Sequence, residues 1–60
     1  MRAIVIEDDL DIQRQIVDRL KKEGFAVDSA DNGTEGLYLL EEYPGDVAII
    51  DLGLPELSGL

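Results

Sequence analysis

Three acidic residues follow the two most apolar stretches of this 60-residue chain. Glu7 and Asp8 come directly after the apolar run 3–6, and Asp51 comes directly after the run 47–50. Carboxylates are ligands for hard cations such as Mg²⁺, and a carboxylate beside bound Mg²⁺ can accept a phosphoryl group. If the fold brings these acids together, a proton or a cation has to relieve their repulsion. The residue types therefore permit cation binding and phosphoryl transfer.

The composition excludes several other kinds of chemistry. A net charge of -9, from 14 acids and 5 bases, argues against nucleic-acid or anionic-membrane binding by this segment. The absence of cysteine and histidine excludes disulfides, thiolate chemistry, zinc sites and imidazole catalysis. No apolar run approaches the roughly 20 residues of a membrane span, and the first residues do not form a signal peptide. We therefore expect a soluble, cytoplasmic domain.

Three segments have the pattern of β-strands. The unbroken apolar runs 3–6 and 47–50 are rich in β-branched residues and predict parallel strands buried on both faces. The run 25–30 is interrupted by Asp28 and Ser29, which favours a strand nearer an edge of the sheet.

A first helix is predicted over residues 11–23. Its apolar residues recur at helical spacing on one face, and Gln13 lies with the polar residues on the other. Asp9 or Asp11 can cap its start, and Gly24 ends it. The inward-facing residues are Ile12, Ile16, Val17 and Leu20.

A second helix is predicted over residues 34–43, after a turn at 31–33 and before the Pro44-Gly45 pair. Leu37, Leu39 and Leu40 are its predicted core residues. The element order is therefore β-α-β-α-β, an α/β fold. Right-handed crossovers between parallel strands then give the sheet order 2-1-3. Strands 1 and 3 end at one edge of this sheet, so Glu7, Asp8 and Asp51 should converge there.

The motifs at these strand ends resemble a known family. The sequences "IVIEDD" at residues 4–9 and "VAIIDLGLPELSG" at residues 47–59 are similar to those of receiver domains in bacterial two-component response regulators. The sequence of residues 38–60 resembles the OmpR/PhoB class and, within it, PhoP-type regulators. The resemblance implies half of a flavodoxin-like (CheY-like) fold.

The resemblance also implies roles for individual residues. Asp51 would be the phosphoacceptor, and Glu7 and Asp8 would be the acidic pair that binds Mg²⁺ together with Asp51. The backbone carbonyl of Gly53 would be a further metal ligand, and Asp9 would lie outside the pocket. The phosphoryl donor would be a histidine kinase. The domain would be a phosphoacceptor and not an enzyme.

Residues 1–60 correspond to the N-terminal half of such a domain. The family's phosphoryl-contacting hydroxyl residue and its lysine would follow in the second half, and Lys21 and Lys22 are placed too far away to replace the lysine. The 60 residues alone are therefore not expected to switch. In the parent protein, a winged-helix DNA-binding domain would control transcription.

Alternative interpretations of these residues remain open. Glu7, Asp8 and Asp9 could be only helix-start acids, and Asp51 could only end a strand. A haloacid dehalogenase-type phosphatase also has an aspartate after a buried strand, but it usually has a second acid where this chain has Gly53. A half-domain could instead self-associate through the edge of strand 3, as a symmetric dimer or a higher oligomer.

Overall fold

The computed structural model describes residues 1–43 and 45–51. Its elements alternate in the order β1 (Arg2–Glu7), α1 (Leu10–Lys22), β2 (Ala26–Ala30), α2 (Gly33–Glu42) and β3 (Val47–Asp51). The strands form a parallel sheet in the order β2-β1-β3, so the predicted fold class and strand order are confirmed. Neither described helix is long and apolar enough to cross a membrane.

Strand β1 forms the core of the described residues. Ala3 through Glu7 are all buried, and Ile4 and Val5 are fully enclosed. Because successive side chains point to opposite faces of a sheet, both faces of β1 are covered. Helices α1 and α2 both contact β1 and β2. The unbroken apolar sequence of β1 therefore matches its central, doubly covered position.

Arg2 connects β1 with the residue before β3 and with the middle of β2. Its backbone N–H donates to Oδ2 of Asp46 at 2.9 Å, and the Asp46 N–H donates to the Arg2 carbonyl at 2.8 Å. Its guanidinium forms an ion pair with the carboxylate of Asp28 in β2. The contacts with Asp46 lie directly before the first paired residues of β1 and β3, which are Ala3 and Val47.

Local hydrogen bonds explain where α1 begins and ends. The Asp9 carboxylate accepts from the backbone N–H groups of Asp11 and Ile12 at 2.9 and 3.1 Å, so Asp9 is the N-cap. Gly24 has a φ of 94°, a conformation that favours glycine, and its N–H donates to the Lys21 carbonyl at 3.0 Å. The predicted end of the helix at Gly24 is confirmed.

The inward face of α1 differs from the prediction at its first position, which is Gln13 and not Ile12. Ile12 was expected to face the core, but it is 43% exposed. Gln13 is half-buried instead, as are Ile16, Val17 and Leu20. Neighbouring residues point about 100° apart around a helix, so residues 12 and 13 lie on different faces of α1. The half-buried stripe therefore runs through positions 13, 16, 17 and 20.

Helix α2 packs through a glycine and not through its first leucine. Asn32 caps its start, and Gly36 is its buried residue. A Cβ added at Gly36 would lie 2.5 Å from Cδ1 of Ile6, so the helix approaches β1 most closely at this point. Leu37 is 58% exposed, which makes its predicted core position wrong. The other two predicted leucines are half-buried.

The predicted burial of the third strand on both faces is also wrong. Ile49 is half-buried, whereas the other four residues of β3 are exposed, Ile50 to 59%. Within the described ranges, β3 pairs with β1 alone and neither helix contacts it. Apolar composition indicates that a strand needs covering, but it does not identify the element that covers it.

Candidate functional site

Glu7 and Asp51 end neighbouring strands at the same edge of the sheet. Each strand continues one residue beyond its predicted apolar run, so each acid is the last residue of its strand. The register pairs Glu7 directly with Asp51, and Asp8 follows in the connection to α1. Because neighbouring strands lie about 4.8 Å apart, the backbone brings these acids close together.

Glu7 is an acid enclosed by protein. Its side chain belongs to a residue that is only 2% exposed. Oε2 accepts the backbone N–H of Asp9 at 3.0 Å, whereas the buried Oε1 has no hydrogen-bond partner among the described residues. An oxygen that has lost its hydration without a replacement among these residues carries a cost in free energy. A cation or a proton would remove that cost.

The surroundings of Glu7 raise its pKa above the ordinary value of 4.5. The hydrogen bond from the Asp9 backbone lowers this pKa, but four opposing effects outweigh it. Burial, a side-chain hydrogen bond with Asp8 and the negative charges of Asp51 and Asp8 all raise it. Three carboxyl groups therefore interact at this edge, as the sequence predicted from its strand order.

Asp9 has a different part in this arrangement. Its carboxylate accepts two backbone N–H groups at the start of α1, while its own N–H holds the side chain of Glu7. This geometry confirms Asp9 as a helix-leading residue, while its position outside the pocket stays a prediction. Asp9 therefore connects the strand end to the helix.

Gln13 is the residue at this edge that sequence reasoning missed. Its Nε2 donates to the backbone carbonyl of Glu7 at 3.1 Å and to that of Ala30 at 3.0 Å. A polar side chain was assigned to the solvent face on residue type alone. The available signal was its position, because residue 13 begins the i, i+3, i+4, i+7 stripe that continues at Ile16.

The acids at this edge of the sheet include groups of the kind that bind Mg²⁺. No group of three or more potential ligand side chains is arranged to hold a metal within residues 1–43 and 45–51. Magnesium usually binds through one or two carboxylates and keeps several waters, so it does not require such a cage. The buried Oε1 of Glu7, which no described residue contacts by a hydrogen bond, and the neighbouring charge of Asp51 fit a hard cation. The predicted ligand Gly53 lies outside the described residues.

Comparisons with curated proteins identify relatives over the whole chain. The two-component response regulator PhoP of Pseudomonas aeruginosa is 42% identical over 60 residues. The virulence transcriptional regulatory protein PhoP of Salmonella typhi is 40% identical, and the transcriptional regulatory protein PhoP of Escherichia coli is 38% identical. Each alignment covers 100% of this chain and 27% of the relative. The chain therefore spans about a quarter of the length of these relatives.

The family comparison agrees with the relatives. Residues 3–60 match the response regulator receiver domain. No solved structure matches the chain. The resemblance to PhoP-type receivers of the OmpR/PhoB class is confirmed, and the match favours it over the phosphatase alternative. The chain belongs to the response regulator receiver domain family.

Proposed function

We propose that this chain carries the phosphoacceptor of a two-component response regulator, with Asp51 accepting a phosphoryl group from a histidine kinase. The observation that carries the proposal is the pairing of Asp51 with Glu7, whose buried Oε1 has no described hydrogen-bond partner. The names of the relatives, among them a two-component response regulator, support the same role. In this role the chain accepts a phosphoryl group and is not itself an enzyme.

The proposed reaction uses the exposed end of β3. Asp51 is exposed, so a phosphoryl donor can approach its carboxylate. One Oδ atom attacks phosphorus, the bond from phosphorus to the donor's imidazole nitrogen breaks, and the imidazole keeps the electron pair. Magnesium, when bound, supplies positive charge to the phosphoryl oxygens. Its proposed ligands are Glu7, Asp8, Asp51 and the backbone carbonyl of Gly53.

We further propose that residues 1–60 are the N-terminal half of a receiver domain. Lys21 and Lys22 lie in the last turn of α1, roughly 20 Å along the helix from its start beside the acids. They therefore cannot act as the lysine that the family resemblance implies. By themselves these residues would accept a phosphoryl group but would not undergo a conformational switch. In a longer regulator, the added charge of about -1.5 to -2 would bias a two-state equilibrium that controls a DNA-binding domain.

A second candidate property is self-association through β3. The strand pairs on one side with β1, and Ile50 is largely exposed. A strand edge that no described residue pairs with, next to an exposed apolar side chain, favours pairing with another strand. We propose that copies of the 60-residue chain form a symmetric dimer or a higher oligomer at or near this edge.

Phosphorylation with acetyl phosphate tests the assignment of Asp51. We expect the unmodified chain to gain one phosphoryl group in Mg²⁺ and none in EDTA, and the Asp51→Asn variant to gain none. Intact-mass spectrometry measures the gain directly. Asp18→Asn is the matched control, because Asp18 is an exposed aspartate on α1. Undiminished labelling of Asp51→Asn would show that another residue is the acceptor.

A further inference from the structure

We propose that Gln13 is a positioning residue for the acidic pair Glu7 and Asp8. It would hold the backbone at the end of β1 in the orientation that Mg²⁺ binding requires. This inference rests on the proposed function, because it concerns the geometry of the same cation site. Gln13 itself does not contact the cation in this proposal, and it acts through the backbone.

One side-chain nitrogen connects three elements at the site. Nε2 of Gln13, on α1, donates to the last carbonyl of β1 at Glu7 and to the last carbonyl of β2 at Ala30. A side-chain amide has two N–H donors, and the two contacts use both. The Gln13 backbone N–H also donates to the Asp9 carbonyl at 2.8 Å. The position of Gln13 is therefore fixed from both its backbone and its side chain.

The Glu7 carbonyl belongs to the peptide unit that leads into Asp8. Because a peptide unit is planar, holding this carbonyl also limits the direction in which the Asp8 backbone leaves the strand. The Asp9 N–H holds the Glu7 carboxylate at 3.0 Å. Gln13 thus fixes the main chain between the two acids, while Asp9 fixes the side chain of the first.

Magnesium makes this orientation important. The ion demands nearly ideal octahedral geometry and short distances to its oxygen ligands. Groups that orient metal ligands without touching the metal typically contribute about 10- to 100-fold to metal affinity. A side chain that only stabilised the fold would change the melting temperature and leave the intrinsic affinity for Mg²⁺ unchanged.

The test compares Mg²⁺ dissociation constants, measured by calorimetry, with melting temperatures. Gln13→Met keeps the length of the side chain and removes both donors, and we expect Mg²⁺ binding at least about tenfold weaker. Gln15→Met is the matched control, because it makes the same change at an exposed position of α1. Asn32→Ala controls for stability, because it removes the side-chain cap of α2 but neither hydrogen bond of the Gln13 side chain. Both controls should keep the affinity of the unmodified chain.

A Gln13→Met variant that melts earlier but binds Mg²⁺ normally would overturn the inference. If that variant does not fold, Gln13→Asn tests the same point, because its shorter amide cannot span both carbonyls. Gln13→Asn should also bind Mg²⁺ more weakly, and unchanged affinity would again overturn the inference. A failure of the proposed function looks different: the unmodified chain would not bind Mg²⁺, or Asp8→Ala would bind it normally.

Discussion

Glu7 ends the most deeply buried strand of the chain and lies beside two other acids. Its Oε1 is buried without a described hydrogen-bond partner, and its pKa is raised even though the Asp9 N–H works in the opposite direction. At neutral pH without a cation, the ionised carboxylate therefore opposes folding. Binding of a cation would convert the same feature into a contribution to stability.

Replacement of Glu7 tests this dual effect. In EDTA at pH 7 we expect Glu7→Gln to melt at a higher temperature than the unmodified chain. Because the folded-state pKa is raised, this advantage should be absent well below pH 4.5. It should grow as the pH rises from that value through the raised pKa. In saturating Mg²⁺ the order should reverse, and thermal melts over pH measure both effects.

Glu41→Gln is the control for this change, because Glu41 is exposed on α2. It should leave the melting temperature nearly unchanged in both conditions. A Glu7→Gln variant that is less stable in EDTA at every pH would show that the carboxylate has a stabilising partner in the folded chain.

At the scale of elements, the close contact of α2 with β1 is possible because Gly36 has no Cβ. The three nearest atoms to an added Cβ all belong to Ile6, at 2.5, 2.9 and 3.0 Å. Ile6 immediately precedes Glu7, so this contact supports the strand end that carries the acid. Close packing of the helix is therefore part of what positions the site.

Gly36→Ala should destabilise the chain. Alanine gains about 1 kcal/mol in helix propensity over glycine, but overpacking costs about 1–3 kcal/mol. Chemical denaturation measures the difference. Combining Gly36→Ala with Ile6→Val, which removes Cδ1, should cost less than the sum of the single changes. Additive losses would mean that the two residues do not press on each other.

The order of the elements could be predicted from the sequence because each segment carries a local signal. Unbroken apolar runs identified β1 and β3, an interrupted run identified β2, and Asp9 and Gly24 marked the ends of α1. The exposures of Leu37 and Ile50 could not be predicted in this way, since they depend on which elements lie against them. The role of Gln13 was hidden for a related reason, because its partners are backbone carbonyls that have no sequence signature.

At the scale of the whole molecule, two features act against each other: the edge of β3 that no described residue pairs with, and the net charge of -9. Pairing of β3 with a second copy would cover Ile50 and satisfy those backbone groups of β3 that have no partner in the described part of the chain. Repulsion between two acidic copies would oppose it, and salt screens that repulsion with a Debye length of about 10 Å at 0.1 M. Association should therefore increase with ionic strength.

Sedimentation equilibrium tests this prediction. The average mass should rise above 6.6 kDa with protein concentration and with added salt. Ile50→Lys should hold the chain closer to the monomer mass by placing a charge at the edge. Leu37→Lys is the control, because Leu37 is equally exposed but lies on α2. A concentration-independent monomer mass would exclude self-association.

The contacts of Arg2 lie at the other end of β1 from Glu7. They nevertheless help to set the register of β1 with β3, which places Glu7 opposite Asp51. Five positions separate Arg2 from Glu7, and five separate Asp46 from Asp51, so the two strands reach the candidate site together. A one-residue slip of β3 would turn Asp51 to the opposite face of the sheet. An inherited change at Asp46, whose side chain accepts the Arg2 N–H, could therefore misalign Asp51 while leaving Glu7, Asp8 and Asp51 themselves unchanged.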